Sequence, residues 1–404
     1  MDVPGYPTAL WAALAEAADR DRLALVGGAV RDLLLHREHR DPWRGLLDLD
    51  LVVEGSAERL VERLRHVPGV GWRGQRVHGA YGTVELELEV AGMVVLLDVA
   101  TARSEHYPVP AGKPEVEGAS LEADLARRDF SINAIAMLFE SPHGASLLLD
   151  PHGGQRDLQR RELRFLHADS FRDDPSRLVR AARYGARLGF TLAPDSLQQV
   201  VRTLAEDPWP RDRALPGLSS RLRMELELLL EREPWPQALQ LLQSWGGFLL
   251  LDGTLQADTH WRRRLRWAER FSQPLLAALV AGCRDPIEVA VRLQLPERDR
   301  QTLRAFVALR QRLLSSASWP QAPSQWTALL EGPGVTAEAV AMCLATGSGP
   351  RRPLLRWWLR WRHQRAPITA AELMRAEALA PGPAVGARLR TLRAQWLDAQ
   401  ESLG

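Results

Sequence analysis

Lysine is nearly missing from this sequence: of 52 basic side chains in 404 residues, only Lys113 is a lysine. No Gly-Lys-Ser/Thr string occurs, which excludes a Walker-type phosphate loop. Schiff-base chemistry is left with one candidate in a polar, Pro-flanked stretch. Cysteine is also scarce. Cys283 and Cys343 stand far apart and neither belongs to a CxxC pair, so zinc and disulfide frameworks are unsupported and both read as small buried hydrophobes. No run approaches ~20 uninterrupted apolar residues, so no membrane span is expected. The N-terminus has no basic leader ahead of an apolar run, which reads as no signal peptide, and the expected location is the cytoplasm. There is no His-Asp dipeptide for a phosphohydrolase module and no GxSxG elbow for a serine hydrolase. The formal charge is only +2, so no global positive field announces a nucleic-acid partner.

What is present is a globular composition, 46% hydrophobic and 25% charged, able to bury a core and long enough for more than one domain. Residues 1–140 alternate β-branched runs with helical patterns. Leu23–Val26 reads as a strand running into a turn at Gly27-Gly28 and a helix through Leu35. Leu47–Val53 reads as a second strand. Val84–Val90 and Met93–Ala100, parted by Ala91-Gly92, read as a hairpin. Arg128–Leu138 reads as a helix start, and Thr101–Ala126 as a loop able to move. Gly69-x-Gly71-x-x-Gly74 matches a dinucleotide fingerprint formally, but it follows a proline and opens no helix, so it reads as a loop. A short apolar run, Leu147–Leu149, precedes a turn at Asp150–Gly154. Helical periodicity then dominates. Glu206–Gly217 reads as a linker, and only helices are expected beyond it. The expected class is α+β: a mixed α/β head followed by an all-helical remainder.

The chemistry concentrates in Asp48-Leu49-Asp50. Residues two apart on a strand share a face, so both carboxylates point the same way with Leu47, Leu49 and Leu51 opposite. Adjacent like charges need a compensating cation, and hard divalent ions such as Mg2+ prefer carboxylate and phosphate oxygens. Asp98, closing the second hairpin strand, is the candidate third carboxylate. The glycine pair Gly27-Gly28 before a helix start suits phosphate. Arg128 and Asp129 offer a phosphate fork and a ribose acceptor. Asp174 and Arg177, three apart, are expected on one helix face. Together they offer an acceptor beside donors, matching the amino group and ring nitrogen of cytosine or adenine, but not uracil or guanine.

These motifs together resemble the class II tRNA nucleotidyltransferase and bacterial poly(A) polymerase family of the DNA polymerase beta superfamily. The matching residues are Leu25–Asp32 with Asp48-x-Asp50, Arg127–Ala134, Asp150-Pro151-x-Gly153-Gly154, and Asp173–Arg177 running into Arg180–Tyr184. Leu218–Glu225 resembles the family's neck and body. The resemblance covers roughly residues 22–232. It implies a nucleotidyltransferase head at 1–140 and a base-recognising neck at 141–205; the helical remainder, 206–404, is expected to be a tRNA-binding body and tail. The resemblance implies two Mg2+ on Asp48 and Asp50; Asp98 is the candidate to join them in catalysis. Gly27, Gly28 and Arg31 would lie near the triphosphate, and Arg128 and Asp129, supported by Asn133, would hold phosphate and ribose. Asp174 and Arg177 would read the base, with Asp173 orienting the arginine and Arg180 alongside. The family usually has Glu at the position of Asp173, so that contact is one methylene shorter here. The implied reaction is template-independent addition of C and A from CTP and ATP to the tRNA 3′ end. A CC-only or A-only enzyme, a poly(A) polymerase and a catalytically silent RNA-binding protein are the alternatives. Beyond residue 232 composition alone speaks: Trp261–Trp267 and Arg351–Arg365 interleave arginine and tryptophan. There Arg262, Arg263, Arg356 and Arg360 are candidates for RNA phosphates, and the tryptophans are read as packing.

Overall fold

The computed structural model describes residues 3–43, 45–46, 48–78, 82–139, 147–209, 216–315 and 318–401. The chain divides into two compact units, Met1–Glu225 with Glu231–Gly246, and Leu226–Leu230 with Gly247–Gly404.

The first unit is built on a seven-stranded sheet. Its strands are β1 (Leu23–Val26), β2 (Leu49–Val53), β3 (Val70–His78), β4 (Thr83–Val90), β5 (Met93–Thr101), β8 (Ala136–Leu138) and β9 (Leu147–Leu149). They lie in the order β3-β4-β5-β2-β1-β8-β9. Only β2 and β5 run parallel; the other neighbours are antiparallel. Between β5 and β8 the chain forms a separate two-stranded ribbon, β6 (Arg103–His106) with β7 (Glu115–Gly118), and then helix α4 (Leu121–Ala126). Helices α1 (Thr8–Ala18), α2 (Gly28–His39) and α3 (Ala57–Arg65) complete the head.

The apolar alternation decides which sheet face α4 covers. Ala24 and Val26 of β1, Val52 of β2, and Ala136 and Leu138 of β8 form one cluster with Leu121 and Leu125 of α4, and Ala100 of β5 packs against it. Asp50 is two residues before Val52 and Asp98 two before Ala100, so both share this face. The apolar cover therefore ends where the carboxylates begin.

Three expectations are corrected here. Arg128–Leu138 is not a helix: a single 3-10 turn at Ser131–Asn133 leads into β8. The stretch Gly69–Gly74 is mostly strand, because β3 pairs along β4 with an irregularity between Trp72 and Gly74. Glycine in a strand often marks such a bulge. Thr101–Ala126 is not one loop: it carries the ribbon strands β6 and β7, joined by residues 107–114, and helix α4. The Ala91-Gly92 turn is as read; both residues have positive φ, 51° and 78°, as a tight hairpin of this twist requires. The expected strand beginning at Leu47 is observed from Leu49; Leu47 lies outside the described residues, as do 210–215 of the expected linker.

After β9 come α5 (Gly154–Arg160), the short parallel pair β10 (Glu162–Leu163) and β11 (Thr191–Leu192), α6 (Ser170–Asp173), α7 (Ser176–Leu188), α8 (Pro194–Glu206), α9 (Pro216–Arg232) and α10 (Trp235–Ser244). The second unit is entirely helical among its described residues. No helix among the described residues is long and apolar enough to cross a membrane.

The turn at Asp150–Gly154 pins α5 to the head. Asp150 accepts from the Gly154 and Gln155 amides at 2.6 and 3.0 Å. A Cβ on Gly154 would collide with the Ser131 carbonyl oxygen and stand 2.7 Å from Ile135 Cγ1. Gly154→Ala is therefore expected to destabilise the first unit by roughly 1–3 kcal/mol, the range for overpacking, readable as a fall in denaturation midpoint. An unchanged midpoint would refute this tight packing.

Candidate active site

At the end of β1 the chain turns through Gly27, with φ 70° and ψ −136°, into α2. A Cβ there would stand 3.2 Å from an Arg128 terminal nitrogen and 3.3 Å from Asp50 Oδ2. Glycine is thus demanded by backbone and by space alike. Arg31, one turn into α2, is buried beneath Gly28. Its Nε donates to Asp32 at 2.8 Å and one terminal nitrogen donates to Asn133 Oδ1 at 2.9 Å. It supports the glycine turn from below and does not line the cleft.

The acidic end of the site follows from strand register. Asp50 on β2 lies beside Asp98 on β5, and Asp98 lies opposite Glu85 on β4. Leu49 and Leu51 are buried while Asp50 is exposed. Asp48 is also exposed and precedes the strand. Partial removal of its carboxyl from water by the surrounding protein, then Asp48, raises Asp50 above its ordinary value, with Arg128 pulling the other way. Burial, then Asp50 and Asp48, pushes Asp98 up to about 6. This is the signature of crowded carboxylates short of positive charge. The donor set fits a hard divalent cation such as Mg2+. Among the described residues no three His, Cys, Asp or Glu side chains form a ready-made metal cage. Mg2+ commonly takes one or two carboxylates and completes its shell with substrate phosphates and water.

A cleft of about 300 Å³ opens beside Asp50 and runs past Gly27, Gly28, Arg128 and Asp129 to Asp174 and Arg177. Asn133 and Arg180 also line it. Asp129 is the opposite case to Asp50. Burial alone would raise its carboxyl, but Arg180, Asn133 and Arg177 outweigh that and hold it below the usual range. Its Oδ1 accepts from the Phe130 amide at 2.8 Å and from Asn133 Nδ2 at 2.9 Å; Arg180 donates to Oδ2 at 3.2 Å. Arg180 also donates to Glu225 at 2.8 and 3.0 Å.

At the far end, Asp174 and Arg177 line the cleft together but not from one helix. Asp174 is extended (φ −144°), ends α6, and α7 begins only at Ser176. Pro175 separates them, since the residue before a proline is pushed out of helical conformation. Asp174 Oδ1 accepts from the Ser176 amide and hydroxyl at 3.1 and 2.6 Å and from Arg221 at 3.3 Å. Arg177 is fixed separately, by Ser170 Oγ and by the Arg127 carbonyl at 2.9 Å. Asp173 faces a neighbouring cavity of about 930 Å³, also lined by Arg177, His167 and Arg172.

Sequence reasoning missed Glu105, Tyr107 and Tyr184, which also line the cleft. Glu105 and Tyr107 sit on and just after β6, in the stretch read as a loop. Burial, with Asp174 and Glu105, pushes the Tyr107 hydroxyl up to about 12, so it stays a donor.

In the second unit Trp261 and Trp357 are buried, at 4% and 3% exposure, which makes them core residues. Arg263, Arg356 and Arg360 are exposed and Arg262 half-exposed. Arg356 lies on the helix Arg351–Leu359, but Arg360 is already past its end, so the two do not continue one helical row.

Residues 23–164 match the Poly A polymerase head domain. The fold of this stretch is therefore of that head-domain class. Over those residues the chain is similar to that head domain, and it is further similar to tRNA nucleotidyltransferases and CCA-adding enzymes. It is 44% identical over 232 residues to a CC-adding tRNA nucleotidyltransferase of Deinococcus radiodurans, covering 57% of this chain and 56% of that protein. It is 35% identical over 261 residues to an A-adding tRNA nucleotidyltransferase of Aquifex aeolicus, covering 63% of this chain and 27% of that one. The matched region thus spans about half, or less, of these relatives' own length. The solved apo form II of a CCA-adding enzyme superposes with a TM-score of 0.71 at 26% identity, over 97% of this chain and 92% of that one.

Gly27→Ala tests the glycine turn. It should weaken nucleotide binding by roughly tenfold or more while leaving the fold intact, because the new methyl group intrudes where Arg128 and Asp50 meet and forces a positive φ on alanine. Nucleotide titration together with thermal denaturation measures both, and full affinity in the variant would rule the turn out as a phosphate seat.

Proposed function

We propose that this chain adds C and A from CTP and ATP to the 3′ end of tRNA without a nucleic-acid template, working in the cytoplasm. The observation that carries the reading is one cleft lined both by Asp50, whose carboxyl its surroundings raise, and by the donor–acceptor pair Asp174 and Arg177.

In this reading Asp48 and Asp50 hold Mg2+, with Asp98 completing the acidic set. Bound there, the metal supplies activation of the RNA 3′ hydroxyl and neutralisation of phosphate charge. The rest is the chain's own work. The α2 amides at Gly27 and Gly28 and the Arg128 guanidinium bind triphosphate oxygens. Asp129, kept ionised by Arg180 and Asn133, accepts from the ribose hydroxyl. Asp174 accepts from the exocyclic amino group of C or A, and Arg177 donates to the adjacent ring nitrogen. U and G present a carbonyl and an N–H there, which would leave a buried charge unpaired on both sides, and such mismatches are strongly rejected. Asp173 keeps Arg177 in place from the neighbouring cavity. Arg262, Arg263, Arg356 and Arg360 contact the tRNA backbone, where each phosphate contact contributes to salt-dependent affinity.

A second reading is CC addition alone, favoured by the 44% identical Deinococcus radiodurans relative. The two separate in one assay: tRNA lacking its tail is incubated with each of the four nucleotides singly and with CTP and ATP together. Full CCA addition predicts C incorporation followed by A. Growth that stops after two C residues selects the second reading, and growth by A alone on a CC-ended substrate, with no use of CTP, overturns both. Asp50→Ala should lower incorporation by roughly 10²-fold or more yet leave tRNA binding unchanged. Arg177→Ala should relax the preference for CTP over UTP by roughly tenfold or more without loss of metal binding. Undiminished incorporation by Asp50→Ala, or an unaltered CTP-to-UTP ratio in Arg177→Ala, would defeat the corresponding assignment.

A further inference from the structure

Asp124 lies on α4, outside the motifs that carry nucleotide chemistry, yet it is the point to which the cleft arginines are tied. It is wholly buried, at 0% exposure. Its Oδ1 accepts from Arg127 Nε and Nη2 at 2.9 and 2.7 Å and from the Arg103 amide at 3.3 Å. Its Oδ2 accepts from Arg128 at 3.0 Å. Each of these arginines is fixed at one end and reaches the cleft with the other. The second terminal nitrogen of Arg128 sits against Gly27, 3.2 Å from where a Cβ would be, while its Nε is buried without a partner. Arg127 turns its remaining nitrogen to Glu105 at 3.0 Å, and its carbonyl holds Arg177.

We infer that Asp124 is a positioning residue for nucleotide binding: its buried carboxylate aims the Arg128 guanidinium at the triphosphate beside Gly27. This rests on the nucleotidyltransferase reading of the cleft. The physical argument concerns entropy and direction. An arginine on a flexible stem must lose rotamer freedom to bind phosphate, and a buried carboxylate that already grips one edge of the fork removes much of that loss in advance. The cost of burying Asp124 is met by two arginines at once, so removing its charge frees both forks.

The test is Asp124→Asn, which keeps the shape and removes the charge. Its affinity is compared for CTP and for cytidine, the latter by competition. Loss of one charge-assisted contact predicts CTP binding weaker by roughly tenfold or more, with cytidine changed by less than about twofold, because only the triphosphate meets Arg128. Combining Asp124→Asn with Arg128→Gln should cause little further loss of CTP affinity, the non-additive outcome of two residues acting through one contact. Asp157→Asn serves as the control. Asp157 is equally buried but is held by Ser131 at 2.6 Å and by Arg164 at 3.0 and 3.2 Å, so it should cost stability with no change in the CTP-to-cytidine ratio. If Asp124→Asn does not fold, Asp124→Glu, which keeps the charge but displaces it, reads the same ratio. A parallel loss for CTP and cytidine, an unchanged CTP affinity, or additive effects with Arg128→Gln would overturn the inference. Failure of the unaltered protein to bind CTP would instead overturn the reading on which it rests.

Discussion

The first unit depends on giving every carboxylate buried inside it a fixed hydrogen-bond partner. Asp124 and Asp157 are 0% exposed, and Asp129, Asp174, Glu225 and Glu233 are also buried. A buried carboxylate without a partner is severely penalised, so each must be met by a donor fixed in the right direction. Here every such partner set includes arginine: Arg127 and Arg128 on Asp124, Arg164 on Asp157, Arg180 on Asp129, Arg221 on Asp174, Arg180 and Arg183 on Glu225, Arg187 on Glu233. A planar fork can bind two acceptors at once and cannot lose its proton, which a lysine does more readily when buried. The near-total replacement of lysine by arginine along the chain has its physical consequence here.

Against that background the acidic end of the cleft stands out by contrast. Asp129 and Asp50 are the same residue type about eighty positions apart, lining one cleft, yet they are shifted in opposite directions. Asp129 has Arg180 and Asn133 bonded to it. Asp50 has Arg128 nearby, and one end of that guanidinium is taken by Asp124. The fold could have supplied another arginine and does not. In the proposed reading this asymmetry matters more than any single distance, because the carboxylate left crowded would suit a cation brought in with phosphate.

How much of this could be read from the sequence depends on how far apart the interacting residues lie in the chain. The Leu49-Asp50-Leu51 alternation, the Gly27-Gly28 turn and the Ala91-Gly92 hairpin are local, and strand periodicity or positive φ predicts each; Asp48, read on the same strand, precedes it. Arg128–Leu138 failed because a short apolar run cannot distinguish strand from helix; pairing of β8 with β1 decided it. β3 failed because its glycines and exposed positions resemble a loop until β4 supplies partners. Glu225 lies 45 residues from Arg180, and no spacing rule connects them. The role of Asp124 was illegible for a different reason: three and four residues from its arginines, it looks like an ordinary helix-surface pair, and only its complete burial separates it from one.

The departure of Asp174 from the helix sharpens the base-reading argument. Had Asp174 and Arg177 shared a helical face, their most favourable contact would have been with each other, and a base would have had to break that pair. Instead Pro175 turns Asp174 out of the helix. Its Oδ1 is engaged by Ser176 and Arg221, and Arg177 is held by Ser170 and the Arg127 carbonyl. Acceptor and donor are anchored independently in the same wall. Each therefore enters the cleft already oriented, and the entropic cost of assembling them is met by folding, not by binding. If the cleft selects a base as proposed, this arrangement would serve it: a flexible pair would adapt to U or G as readily as to C or A, whereas a rigid one leaves the wrong base with a donor facing a donor and an acceptor facing an acceptor.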